Sequence, residues 1–507
     1  MIQNNRGNNP LALAPMAYRH EILRRYAIPV AILALTVSLL SIDAQTAKRP
    51  QRPLDVKTRP WYHHIEKSEV KTIIPEIKLL RLENGIEVYF LGTDAIPLVS
   101  LQVIVEGGGF EVPVDKLGLQ SLWGESVIYS GSQENPQDKL ADFFEARGTI
   151  VSFAAGLERS GYSLNSLSHY FKRDLETFFE VIQHPRFNAS DVELLKAKML
   201  QELEHRDENP SKWASLGLNK ITWRGTIKEQ YPTIRTVKPI SPADLKNWHA
   251  TLFRGERIKL AVSGKVNEAD LKNWLNATFG KLATNTKNKV DLSAVKVKHA
   301  FKENSLFLLP KDIPQSTILY RAKGLSHTHK DYYALRILDF ILGGDSFNST
   351  LTQKIRTEKG WAYSTYSSFD TDDFTGSLLL FTQTANQNVP DVIREIDTIL
   401  TNPESWITEQ KIELAKISLK NKFVFLFENP AQYMKLYLQL KWDGLDDSYL
   451  PDFVTNLNKV KSTDVLRLAK TLYKPENFAI LLCGPDSVYQ QKSTLRPAKA
   501  ETLVLEK

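Results

Sequence analysis

Ser241-Pro-Ala-Asp-Leu245, then Leu252-Phe253, then Ile258-Lys-Leu-Ala-Val-Ser-Gly264, read as a capped helix, a turn and an apolar strand closed by glycine. The same order returns at Ser462-Thr-Asp-Val-Leu466, Leu472-Tyr473 and Phe478-Ala-Ile-Leu-Leu-Cys-Gly484, offset by 221 (462 − 241). Upstream, Gly131 and Gly148 bracket a helical pattern 17 residues apart, and Gly343 and Gly360 do the same at an offset of 212 (343 − 131). A period this long means duplicated domains rather than a solenoid of short repeats. The halves fall at 76–285 and 302–490, joined by a Lys-rich linker at 286–301 and followed by a tail at 491–507.

Within each half, strands come in pairs and helices then come in runs. Ile77–Leu82 and Ile86–Leu91 flank Asn84-Gly85, a hairpin signal, and Val99–Val105 follows. Helical patterns near 116–129 and after Asn135-Pro136 precede strands near 149–155 and 160–167, and several helices then run to about Ile221. That sequence of elements predicts two homologous α+β domains in tandem, each a mainly antiparallel sheet packed with helices, facing each other across a cleft. A ligand would bind in such a cleft.

The chain of 507 residues is 42% hydrophobic, 24% charged and 10% aromatic, which are globular values. Its net charge of +7 is spread among acidic residues without a Lys/Arg block, which argues against nucleic-acid binding. The lone Cys483 sits in an apolar run and cannot form an internal disulfide. Arg19, Arg24 and Arg25 precede an apolar run from Ala27 to Leu40, with Ala44 at a small-residue cleavage position. This pattern predicts a signal peptide at 1–44, a linker at 45–75 and an exported, periplasmic chain that meets the membrane only in transit. The run is shorter than the roughly 20 residues a spanning helix needs.

The second half resembles the C-terminal domain of the insulinase/pitrilysin family, in its half-length processing-peptidase branch. The matching residues are Asp331-Tyr332-Tyr333, then Ile341-Leu342-Gly343-Gly344, then Arg356-Thr-Glu-Lys-Gly360-Trp-Ala-Tyr363. The first half resembles the family's N-terminal domain at Gly118-Leu119, at Gly148 before a strand, at Pro185-Arg-Phe187, and at Glu202 eight residues before Pro210. The resemblance implies a zinc site built on His-x-x-Glu-His, completed by a distant Glu. Two imidazoles four residues apart on one helical face share the metal, and the Glu between them takes a proton from the bound water.

Here the motif is degenerate. The Gly118-Leu119 register puts Ser121-Leu-Trp-Gly124-Glu125 where it belongs, with Glu202 as the remnant of the third ligand. Ser121 is a poor zinc ligand, Gly124 cannot be a base, and Glu125 with Glu202 offers carboxylates but no imidazole. No catalytic set is intact, and no metal is expected in this chain. None of the ten histidines forms the motif or its inverse. His63-His64 reads as a solvated linker, His327-Thr-His329 as a surface loop, and His205 as part of a charged helix face.

What remains is binding machinery. By the resemblance, Arg356 and Tyr363 hold a substrate peptide near the scissile bond. Alternatively, Arg356 caps its helix and Tyr363 packs in the next strand. The strand after Gly148, with Phe153, Ala154 and Ala155, matches the edge that pairs with substrate by β-augmentation, or is an ordinary sheet strand. Three readings follow: a non-catalytic, peptide-binding subunit whose homologous partner carries the intact motif and the zinc; a scaffold with the peptidase fold; or a peptidase active alone through other ligands.

Overall fold

The computed structural model describes residues 73–284, 290–344, 347–371, 376–490, 495 and 499–507. The expected signal peptide and almost all of the first linker lie outside the described residues.

The first half contains β1 (Lys78–Arg81), β2 (Glu87–Gly92), β3 (Leu98–Glu106), α1 (Leu119–Ser130), α2 (Gln137–Glu145), β4 (Ile150–Ala154), β5 (Arg159–Leu167), α3 (Phe171–Gln183), α4 (Ala189–Glu204), α5 (Pro210–Thr222), α6 (Ile234–Val237), α7 (Pro242–Leu252), β6 (Ile258–Gly264) and α8 (Glu268–Ala277). The second contains β7 (Ser305–Pro310), β8 (Gln315–Lys323), α9 (Tyr332–Asp339), β9 (Ala362–Thr371), β10 (Gly376–Ala385), α10 (Val389–Thr401), α11 (Glu409–Val424), α12 (Pro430–Trp442), α13 (Phe453–Lys459), α14 (Ser462–Leu472), β11 (Ala479–Gly484), α15 (Asp486–Tyr489) and β12 (Lys499–Thr502).

Two six-stranded sheets result, ordered β1-β2-β6-β3-β5-β4 and β12-β7-β11-β8-β10-β9. The same positions are filled by repeated strands. β2 pairs parallel with β6, as β7 does with β11, and β4 and β9 are the corresponding free-edge strands. The remaining pairings are antiparallel, except that β12 joins β7 in parallel. The α+β duplication expected from the sequence is therefore the observed architecture.

β6 and β11 are almost wholly buried, with side chains pointing to both faces. Each half covers one face of its sheet with its own helices and the other face with a helix lent by its twin. α5 crosses to the second sheet, where Trp213, Ala214, Leu218 and Ile221 are buried among Phe307, Leu309, Leu319, Leu481 and Cys483. Gly217 lets it approach, since a Cβ there would stand 3.0–3.2 Å from Leu481, Leu503 and Leu309. In return, α12 packs on β6. Tyr437 lies edge-on to Tyr89 at 6.2 Å, and the Arg159 guanidinium sits 4.4 Å from the Trp442 ring. Both lent helices start with Asn-Pro, and the Asn209 and Asn429 side chains accept from backbone amides of the first turn.

Two boundaries differ from the sequence reading. In the expected tail at 491–507, residues 499–507 are packed: β12 forms the edge of the second sheet, and Leu503 and Leu505 are buried. This segment also ties back to the first half, where Ile234 N donates to Lys507 O at 2.9 Å and Arg224 pairs with Glu501 at 2.8 Å. In the connection, residues 290–301 pack down rather than run free, with Val295 and Phe301 buried and Ala300 N donating to Thr222 O. Residues 285–289 lie outside the described residues.

Candidate functional site

α1 starts at Gly118, whose φ of +107 is open to glycine, and a Cβ there would stand 2.6 Å from Val237. The helix presents Ser121, Gly124 and Glu125, with Ser121 half-buried, Gly124 buried and Glu125 exposed. It packs against α4, which carries Glu202. Partial burial raises the Glu125 carboxyl above its ordinary range, Lys198 draws it back, and Glu202 adds to the rise. The residues aligned with the metal site are thus brought together, but as two carboxylates, a lysine and a serine. Among the described residues, no three His, Cys, Asp or Glu side chains are grouped to hold a metal. Without an imidazole, the donor set does not fit a zinc ion.

The base position is filled. A Cβ built on Gly124 would lie 2.1 Å from Cε1 of Phe153 and 2.2 Å from its Cδ1 and Cζ. The Phe153 ring is edge-to-face with Trp123 at 5.5 Å and 4.9 Å from Tyr162. Trp123 and Tyr162 are fully buried. Behind them, Trp123 Nε1 donates to His249 Nδ1 at 3.2 Å, and His249 stacks on Phe253. Burial lowers the His249 imidazole to about 4, against a rise from a Gln183 backbone hydrogen bond, with a further lowering from His184. Metal-ligand spacing gives no signal at His249, and only the fold brings it behind α1 as a packing residue.

Among the described residues, β4 pairs only with β5, which leaves its outer backbone edge free. Ser152 and Ala154 on the strand and Ala155 just beyond it are exposed, whereas Phe153 turns its ring towards α1. Of the three residues expected at the peptide edge, only the two alanines have exposed side chains. Beside the strand lies a cavity of about 410 Å³ lined by Ile128, Tyr129, Leu140, Phe144 and Ile150.

On the second sheet, α9 runs into a π-helical turn at Phe340–Gly344, and a second π-helical stretch spans Thr352–Glu358. A Cβ on Gly343 would stand 2.1 Å from Ser367 N, so the double glycine lets β9 approach. Ser367 Oγ donates to the buried Asp339 carboxylate at 2.6 Å. Gly360, at φ +66, turns the chain into β9. Tyr363, on that edge strand, is 83% exposed and does not pack into the sheet. The Arg356 guanidinium lies 4.8 Å from its ring centroid, a cation–π pair in which the phenol stays open to solvent. Arg356 and Tyr363 are therefore together on the second sheet, and Ser121, Gly124, Glu125, Glu202 and Phe153 are together on the first.

In His327-Thr-His329, Thr328 and His329 lie exposed in a loop as expected, and only His327 is buried. His329 Nδ1 accepts from Asp331 N, and Asp331 is held by Arg467 through two hydrogen bonds of 2.7 and 3.1 Å. His205 pairs with Glu208.

This geometry defines a peptidase fold whose metal position is occupied by other groups. The model described as Insulinase (Peptidase family M16) matches residues 92–236, and that described as Peptidase M16 inactive domain matches 239–419. The chain belongs to the insulinase family, peptidase family M16, and lacks its zinc motif. It is 21% identical over 416 residues to the uncharacterized zinc protease YmxG of Bacillus subtilis, covering 81% of this chain and 98% of that one. It is 23% identical over 331 residues to the non-peptidase homolog YmxG of Helicobacter pylori, covering 63% and 74%. Among solved structures, a peptidase M16 inactive domain from Pseudomonas fluorescens superposes with a TM-score of 0.69 at 23% identity, covering 81% of this chain and 98% of that one.

Proposed function

We propose that this chain is the zinc-less, peptide-binding subunit of an exported two-chain metallopeptidase, with the zinc carried by a homologous partner that keeps His-x-x-Glu-His. The observation that carries this reading is the contrast between the closed metal position and the open binding elements. The base position is packed shut by Phe153 on Gly124, while Arg356, Tyr363 and the β4 edge stay accessible. A guanidinium can hold a peptide carbonyl or carboxylate, a phenol can donate to one, and a free strand edge binds extended peptides through main-chain hydrogen bonds. The basic and apolar pattern at 19–44 supports export to the periplasm.

The test is purification of the tagged chain from its own envelope fraction, with co-purifying chains identified by mass spectrometry and the assembly assayed on unfolded peptides. A stoichiometric partner carrying the intact motif, with cleavage reduced roughly tenfold by Arg356→Ala, is expected. Undiminished cleavage removes Arg356 from the site. A stable assembly without cleavage turns the assignment to a scaffold, and chelator-sensitive cleavage by the pure chain turns it to a solitary peptidase.

A further inference from the structure

We infer that Phe153 on Gly124 is a rebuilt joint that replaces the metal site mechanically, so that restoring the three missing side chains alone cannot restore zinc binding. The contact is close enough to decide this. Real Cβ atoms essentially never approach another heavy atom within 3.0 Å, yet a Cβ at position 124 would meet three ring carbons of Phe153 at 2.1–2.2 Å. The ring is held by two aromatic neighbours. Phe153 opposes Tyr162 across the β4–β5 ladder, and the two rings are 4.9 Å apart. Trp123 meets both rings edge-on, and its own indole is fixed by the hydrogen bond to His249. Phe153 is half-buried, and turning its ring aside breaks its contacts with Trp123 and Tyr162.

The two positions exclude each other's usual occupants. While the Phe153 ring stands where it does, only glycine fits at 124, although glycine in the middle of a helix forgoes the better helix propensity of alanine. Once Phe153 is shortened to alanine, the space of a phenyl ring opens over α1 and a side chain at 124 has room. Phe153 is thus a positioning residue: its ring clamps β4 to α1 where a metal-bridged cluster would otherwise have stood.

Two experiments on the full chain test this. The first is a double-mutant cycle of Gly124→Ala and Phe153→Ala, read by urea denaturation. Gly124→Ala is expected to lower the midpoint in the otherwise wild-type chain and to raise it in the chain that carries Phe153→Ala, because only there is the propensity gain realised without a clash. The same sign in both backgrounds overturns the inference. The second combines Ser121→His, Gly124→Glu and Glu125→His, with or without Phe153→Ala, and measures bound zinc after equilibrium dialysis. About one zinc per chain is expected only when Phe153 is replaced, with Glu202 as the remaining ligand. Equal binding in both, or binding in neither, overturns the inference. Neither readout depends on whether the chain works with a partner.

Discussion

His249 makes the packing behind α1 sensitive to acid. Its Nδ1 accepts the Trp123 indole proton at 3.2 Å, so the folded chain needs the neutral ring. A proton on Nδ1 would set a donor against a donor. Burial lowers this imidazole from 6.5 to about 4. A histidine depressed in this way contributes stability that is whole above pH 6.5 and is lost as the pH falls towards 4, because in that window the unfolded chain takes a proton the folded chain refuses. At about 1.4 kcal/mol per pH unit, the loss is about 3 kcal/mol. Asp339 acts in the opposite sense. Burial raises its carboxyl from 3.8 to about 6, against the Ser367 hydrogen bond and Arg336. Its contribution therefore recovers by about 3 kcal/mol as the pH falls from 6 to 3.8. The two act against each other over the same pH window, so a variant rather than the wild-type curve separates them. The assay is urea unfolding of wild type and His249→Gln at half-unit steps from pH 7.5 to 4. The stability difference should move by about 3 kcal/mol in favour of the variant as the pH falls, whatever the packing offset at pH 7.5. A difference that stays constant across the range would refute the account of His249.

Shortening Trp213 to alanine should cost about 3–5 kcal/mol, because its buried indole anchors the lent helix α5 in the second sheet, and the loss should appear in unfolding of both halves together. Cys483 is fully buried on β11, and burial pushes its thiol up to about 11. Ellman's reagent should therefore leave it unmodified in the native chain at pH 8 and titrate it on denaturation; rapid native labelling would contradict the buried placement of β11. Replacing Leu503 with aspartate should destabilise the chain by more than about 2 kcal/mol, since it puts a charge into the core between α5 and the second sheet. A negligible change would show that the 499–507 segment is not part of the packed structure.

The duplication, most strand positions and the loss of the metal ligands were legible in the order of residues alone. Those features rest on local signals: glycines at turns, caps at helix starts, period-two strands, and the identity of residues 121, 124 and 125. Arg356 and Tyr363 were marked there too, although only their places in the structure show that the tyrosine stays exposed beside the guanidinium. Which helix covers which sheet was settled by the folded chain and by nothing before it. α5 and α12 share an Asn-Pro start, but nothing local says that each packs on the other half's sheet. The same holds for β12, a short strand defined only by its neighbour β7, and for the burial of His327. Gly124 was legible as a missing base, but the ring that fills its place comes from a strand 29 residues further on. Propensity and pattern act between near neighbours in sequence, whereas packing is settled by whatever surface folding brings within van der Waals reach.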